Sequence, residues 1–496
     1  MAKPGLRQAM AGLHVWVGVL AGWLLYAIFV TGGISFFRQE LSQWMRPEIA
    51  AASPQDDAVV VQRALATLSQ VAAGSDKWVL TLPGPRSNAV ELEWENGGRH
   101  QRALLDPATG KQVVARDTLA GEFFYYFHFS LHYLPRMTGR WLVGLCAMMA
   151  LVAMVSGLIV HRRLFSDFFT FRPGRANRSW LDAHNGLSVL ALPFHLMIVY
   201  TGLVTLMFTY MPWGAQAVYG EQARPALASI MQVRPDTPAR SGIAHPLTAL
   251  PPILQQASRR WGDATVSQIV ISHPGDANAR VAIVRGARDR LSVAPAYLLF
   301  DGASGALLAA HDGASPAITA WGVAYGLHVG RFADPYLRFM LLLCSLAGAA
   351  MVATGMLLWV LKRQHRWPPR VLLLVERGNL ACIAGLLAAV PAFLLANRLL
   401  PLDLAQRSNR EIDCFFACWG IALLHAAWRK PTTAWREQVT AAALLWLALP
   451  AVNAALTSRG LYRSWLAGDW VFVACDTLFA LTGAVLLLVA ARLGRD

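Results

Sequence analysis

Long apolar runs alternate with polar stretches along this chain, and their lengths set the architecture. A helix needs about 20 apolar residues to cross the hydrocarbon of a bilayer. Eight stretches meet or approach that length, at roughly 13–37, 140–161, 183–209, 337–361, 372–396, 411–428, 437–456 and 470–492. Two polar segments, about 38–139 and 210–336, are far too long to be turns. In the first, Asp56–Val71 has helical periodicity, and Trp78–Leu82, Ala89–Trp94 and Gln101–Leu105 read as strands before the turn Asp106-Pro-Ala-Thr-Gly110. In the second, Ala249–Trp261 is helical, Ser267–Ser272, Arg280–Arg285 and Ala296–Phe300 are strands, and Asp301-Gly-Ala-Ser-Gly305 is the matching turn. Polar alternation predicts small sheets with one wet face.

The pattern repeats. His184–Gly202 laid on His14–Gly32 without a gap gives 7 identities in 19 positions. Arg140–Val160 lies on Arg338–Leu358, with Cys146 over Cys344 and Gly157 over Gly355, and Leu131-His132 parallels Leu327-His328. The predicted fold is therefore a polytopic α-helical membrane protein of about eight spans. A duplicated core of four spans carries two extramembrane α+β units, and a four-helix extension follows. The first repeat is 1–161, with its outer unit at about 38–139. The second is 162–361, with its outer unit at about 210–336. The C-terminal bundle is 362–496. Equal orientation of the two copies implies parallel repeats about an axis normal to the membrane.

Composition supports this class: 55% of residues are hydrophobic and only 15% charged, against about 25% charged in soluble proteins. The net charge of +15 does not point to nucleic acid. Lys3 and Arg7, Arg162 to Arg178, Lys362 to Arg370, Arg429 to Arg436, and Arg492 and Arg495 all fall on one side if the N-terminus is cytoplasmic. Both termini are then cytoplasmic and both polar segments lie outside, with Arg407, Arg410, Arg459 and Arg463 in short outer loops. The first apolar stretch is too long for a cleavable signal peptide. The six cysteines sit in or beside apolar helices, so no disulfides are expected in the outer segments, and Cys414 and Cys418 read as small buried residues. Most of the 18 tryptophans flank spans, as in an interfacial belt.

Histidines carry the candidate chemistry. An ionisable group in a span is costly and marks function. His14 and His184 are repeat-related at the cytoplasmic ends of the first and third spans, and His132 and His328 are repeat-related just outside the second and fourth. A pseudo-twofold axis brings each pair face to face. Two facing imidazoles suit bis-histidine ligation of haem b, closed to oxygen and suited to electron transfer. The absence of Cys-x-x-Cys-His excludes covalent c-type attachment. Two pairs imply two haems. His195, eleven residues after His184 on one straight helix, would lie about 16 Å further along nearly the same face, and can replace His132 or His328 as a ligand. Leu25 stands at its repeat position. His128, one turn before His132, competes for the outer site. His161 reads as an ordinary interfacial histidine, and Gly32, Gly202, Gly157 and Gly355 as helix-packing residues or room for a porphyrin edge.

Leu13-His-Val-Trp-Val-Gly18, Thr31-Gly-Gly-Ile-Ser-Phe-Phe-Arg-Gln-Glu40, Phe127-His-Phe-Ser-Leu-His132, Pro193-Phe-His-Leu-Met-Ile-Val-Tyr-Thr-Gly202 and Gly326-Leu-His-Val-Gly330 resemble the PepSY-associated transmembrane family. The outer units, each with an Asp-x-x-[Ser/Thr]-Gly turn, resemble PepSY domains. The resemblance covers about residues 10–365. It implies a bacterial inner-membrane protein with periplasmic PepSY modules. Some members, ferrioxamine reductase among them, are di-haem ferric-siderophore reductases. The expectation is a reductase that takes electrons from a cytoplasmic or membrane donor (quinol, flavoprotein or reduced nicotinamide partner) and delivers them to a periplasmic ferric siderophore, releasing Fe(II). Two other readings stand beside it: a PepSY-based binding, inhibitor or sensor protein with structural histidines, and a transporter with His195 in a proton or metal path.

Overall fold

The computed structural model describes residues 5–49, 55–161, 176–230, 237–262, 264–313 and 315–493. Of the basic clusters, Lys3, Arg162, Arg163, Arg172, Arg175 and Arg495 lie outside these residues. In chain order the main elements begin with α1 (Leu6–Ser35), α2 (Arg38–Trp44) and α3 (Asp57–Val71), then β1 (Lys77–Thr81), β2 (Val90–Asn96) and β3 (Arg99–Leu105). The helices α4 (Gly121–Ser130), α5 (Arg136–Val160), α6 (Ala176–Leu190), α7 (Leu192–Thr205) and α8 (Leu250–Trp261) follow. Next come β4 (Val266–Ser272), β5 (Arg280–Arg285), β6 (Tyr297–Asp301) and β7 (Leu307–His311). The chain closes with α9 (Pro316–Val329), α10 (Pro335–Leu361), α11 (Pro369–Leu399), α12 (Arg407–Trp428), α13 (Pro431–Leu456) and α14 (Trp470–Leu493). Two compact units emerge: Met1–Met45 with Asp117–Tyr210 and Asp334–Asp496, and Arg46–Arg116 with Met211–Ala333.

The first unit is a bundle of membrane helices. Among the described residues, seven helices (α1, α5, α10, α11, α12, α13 and α14) are long and apolar enough to span, and the pair Arg178–Leu190 with Leu192–Thr205, bent by 67°, passes the same test when taken together. The stretch expected as one straight third span is therefore two arms. Pro193, in the first turn of α7, has no N–H to donate to Val189, and its ring would collide with that carbonyl in a continuous helix. The chain breaks at Ala191, with φ −110° and ψ 19°. Helix α1 packs against α4, α5 and α10, α6 packs against α10, and α7 against both α5 and α10. Helix α11, largely buried, is the centre of the C-terminal bundle and contacts α12 and α13.

A polar network runs through this apolar unit. Arg407, expected in an outer loop, lies fully buried in the first turn of α12, ion-paired to Glu411 one turn on. Glu411 also accepts from the Thr118 hydroxyl at 2.5 Å and from Asn397 Nδ2 at 2.8 Å. Arg407 donates to the Asp117 carbonyl at 3.1 Å. Arg398 stacks over the Trp44 indole, donates to the Trp44 carbonyl and bonds Asn453 Oδ1. Asp476 accepts from Trp44 Nε1 and Asn453 Nδ2. Each charge has an opposite charge or several hydrogen bonds, which is the condition for keeping it out of water.

The second unit holds one sheet. Its strands run β3-β2-β1-β4-β5-β6-β7, all antiparallel. The two α+β segments, expected as separate small sheets, share it through β1 and β4, paired from Lys77↔Ser272 to Thr81↔Gln268. Alternate residues (Trp78 and Leu80, Val90 and Leu92, Ile269 and Ile271, Val281 and Ile283) meet Val60, Ala64 and Leu68 of α3 and Ile253 and Leu254 of α8 in a common core. The two Asp turns match. Asp106 accepts from the Ala108 N–H and Thr109 hydroxyl. Asp301 accepts from the N–H groups of Ala303 and Ser304 and from the Ser304 hydroxyl. Gly110 and Gly305, at φ +69° and +75°, close the turns in the left-handed region that favours glycine.

Candidate functional site

Four histidines of the membrane unit share one local arrangement. His14 on α1 has Nδ1 2.8 Å from the Ala153 carbonyl oxygen of α5. A Cβ added at Gly157, four residues further along α5, would stand 3.1 Å from the same ring. His184 on α6 repeats this on α10, with Nδ1 2.9 Å from the Met351 carbonyl and the ring 3.1 Å from a Cβ at Gly355. His128 on α4 uses α1, with Nδ1 2.9 Å from the Ile28 carbonyl and the ring against Gly32. His195 on α7 uses α10, with Nε2 3.2 Å from the Cys344 carbonyl and 3.1 Å from a Cβ at Gly348.

The chemistry of the arrangement is simple. In a helix, carbonyl i already accepts from N–H i+4, but it retains a second lone pair. Glycine at i+4 removes the Cβ that would block a side chain from reaching it. A carbonyl only accepts, so the bonded ring nitrogen carries the proton. For His14, His128 and His184 that leaves Nε2 with the lone pair, and for His195 it leaves Nδ1. This is how metal-binding histidines are oriented, with one nitrogen tied to a backbone carbonyl and the other presented to the ligand.

His14 and His184 come together, with ring centroids 6.2 Å apart and planes at 72°. Two imidazoles coordinated on opposite sides of one metal atom have centroids about 6 Å apart, from two metal–nitrogen bonds of about 2 Å and two nitrogen-to-centroid distances of about 1.1 Å. Among the described residues, neither Nε2 has a hydrogen-bond partner. Among the described residues, no three His, Cys, Asp or Glu side chains converge as a metal-ion site. The pair therefore suits a group that brings its own equatorial ligands, as a haem does.

The outer histidines fall on different elements. His132 does not lie on the helix of His128. Helix α4 ends at Ser130, and Leu131 and Tyr133 take positive φ values of 58° and 62°. The His132 ring instead packs on Tyr133 and stacks on Phe416 of α12, at centroid distances of 4.4 and 5.8 Å. His328 belongs to the second unit, in the last turn of α9 before its left-handed cap Gly330. His128 and His195, the alternatives, sit at the same level of α1: the first bonds Ile28, and the second contacts Phe29 at a centroid distance of 5.8 Å. His195 is 1% exposed, and its Nδ1 has no partner.

Gly348 and the four carbonyls escaped the sequence reading. Gly348 has Ala150 at its repeat position, just as His195 has Leu25, so the histidine and its glycine are both particular to the second copy. Along α10, Gly348 and Gly355 are seven residues apart, which separates the two histidine layers by about 10 Å of helix rise. That replaces the 16 Å spacing expected of a straight third span.

The family model for the PepSY-associated TM region matches residues 11–362. An uncharacterized protein of Pseudomonas aeruginosa is 27% identical over 289 residues, which cover 54% of this chain and 70% of that relative. The matched region contains all four cradled histidines, both Asp turns and the helices that position them, and the chain belongs to the PepSY-associated TM region family.

Proposed function

We propose that this protein is an inner-membrane oxidoreductase that holds haem b between His14 and His184 and reduces a ferric chelate on the outer side of the membrane. The observation that carries this reading is the His14–His184 pair: centroids 6.2 Å apart, each Nδ1 tied to a helix carbonyl, each Nε2 left to coordinate. Haem, when bound, supplies a one-electron iron couple inside the bilayer. The chain does the rest. His14 and His184 would both hold the iron, which would favour electron transfer over oxygen binding. Hydrogen bonds to Ala153 and Met351 fix ring orientation and make the ligands more basic. His128 and His195 are the ligands proposed for a second haem, since they repeat the same cradle, His128 on Ile28 and Gly32 of α1 and His195 on Cys344 and Gly348 of α10. The positive-inside rule favours a cytoplasmic level for the His14–His184 layer, which supports a donor on that side. One electron reduces a ferric siderophore to its Fe(II) form, which hard oxygen ligands hold less tightly, and the metal is released.

The test is spectroscopic. The purified full-length protein should show a Soret band that shifts on dithionite reduction. His14→Ala and His184→Ala should each lose the haem held at that pair while retaining other bound haem. A colourless folded protein, or full haem content in both variants, refutes the assignment. Addition of a ferric hydroxamate to the reduced protein should restore the oxidised spectrum. A reduced spectrum that persists removes ferric siderophores as the acceptor.

A further inference from the structure

Trp359 stands one helical turn beyond Gly355 on α10, on nearly the same face. Gly355 is the residue against which the His184 ring rests. Trp359 is 6% exposed and packs on Trp367, in a cluster with Val360, Leu372 and Val375 against which Val15 and Val19 also pack, and Val15 follows His14. Its Nε1–H is buried and has no acceptor. A buried tryptophan N–H ordinarily finds a partner, because leaving it unmade forfeits the bonds water would give. One cation adjoins the ring and a second lies near His184. The Arg363 guanidinium lies 4.6 Å over the Trp359 ring and donates to its carbonyl at 3.2 Å. Lys362 is within electrostatic reach of His184. Neither cation is among the ion pairs of the described residues. A donor without an acceptor and two cations without a carboxylate, one turn from the paired imidazoles, describe a place for an anionic oxygen.

We propose that Trp359 Nε1–H, with Arg363 and Lys362, receives a carboxylate of the group bound between His14 and His184, which for haem b is a propionate. This rests on the haem reading above. Repeat symmetry extends it. His161 follows Gly157 by the same four residues that separate Trp359 from Gly355. Arg7 donates to the neighbouring Val160 carbonyl at 3.1 Å. Each copy thus ends its cradle helix beside an arginine, and haem b has two propionates.

A lipid phosphate offers the same chemistry, so the test separates the two sources. Full-length protein in phosphatidylethanolamine/phosphatidylglycerol nanodiscs is loaded with haem or with its dimethyl ester, and transfer to excess apomyoglobin is timed. Trp359→Phe should lose haem about tenfold faster than the parent, the scale of one hydrogen bond to a charged group. Lys362→Gln should lose it several-fold faster. Both variants should keep the six-coordinate Soret spectrum, because His14 and His184 are untouched. The dimethyl ester, with no carboxylate, should leave parent and Trp359→Phe at equal rates. Parent-like haem retention in both variants overturns the proposal and leaves the N–H to lipid. Equal acceleration for haem and ester also overturns it, because packing alone would then explain the loss. A parent that takes up no haem overturns the underlying reading instead.

Discussion

Gly355→Ala separates the cradle from ordinary helix packing. The new Cβ would stand 3.1 Å from His184 Cε1 and 3.4 Å from Nδ1. Carbon atoms settle at about 3.5–4.0 Å, so the ring must retreat by about half an ångström. That retreat stretches the 2.9 Å bond from Nδ1 to the Met351 carbonyl toward the limit of a useful hydrogen bond. Losing an outer-shell partner of a metal-bound histidine costs about 10- to 100-fold in metal affinity. Backbone preference acts in the opposite direction, since alanine in a helix interior is favoured over glycine by about 0.5–1 kcal/mol. The expected signature is a split. Haem transfer to apomyoglobin from the full-length protein speeds up at least tenfold, while thermal unfolding of the haem-free protein is unchanged or moves upward. Gly157→Ala, with its Cβ 3.1 Å from the His14 ring, should behave alike. Parent-like haem retention in both variants refutes the cradle argument. Equal loss of haem and of apoprotein stability reduces the two glycines to packing residues.

Other outcomes follow from the same structure. Arg407→Met leaves Glu411 buried without its cation and should destabilise the protein by about 3–5 kcal/mol, measured by denaturant titration in detergent. Arg407→Met/Glu411→Leu should recover much of that loss, and a single variant as stable as the parent refutes the role of the pair. In the second unit, burial alone would raise the Asp276 carboxyl. The N–H groups of Asn278 and Ser241, the Ser241 hydroxyl and the Gly242 N–H instead hold it well below the usual carboxylate range. Its contribution is therefore present above about pH 4 and is lost as pH falls through the lowered value. Hydrogen exchange at 241–243 and 276–278 should distinguish Asp276→Asn from the parent near pH 6 and converge toward pH 2. A gap independent of pH refutes this linkage.

The His14–His184 pair was legible because the duplication placed both histidines at equivalent ends of equivalent helices. Pairing then followed from symmetry alone. The outer histidines were harder to read. Spacing put His128 and His132 on one helical face, and only the positive φ at Leu131 and Tyr133 takes His132 off it. Nothing in a Leu-His-Tyr sequence announces such backbone conformations. The bend in the third span had a signal in Pro193, whose effect on Val189 was outweighed by the continuous apolar run. The charge of Arg407 marks a loop in the sequence, although Glu411 four residues on offers the partner that lets it be buried. Strand alternation showed each outer strand but not the β1–β4 pairing, because a strand's edge carries the same backbone groups whichever neighbour it meets.

The polar network in the membrane unit has a consequence for the C-terminal bundle. Trp44 and Asp117 are where the chain departs on, and returns from, the excursion that builds the first half of the sheet. Arg398 and Asp476 grip the departure point, and Arg407 holds the return point. The four extra helices thus work as a bracket, fastening both feet of one long insertion to the bilayer-embedded frame. The repeat itself contributes none of these bracket residues. Removal of the extension should therefore free the ends of the first outer segment while leaving the His14–His184 cradles, built wholly from α1, α5, α6 and α10, in place.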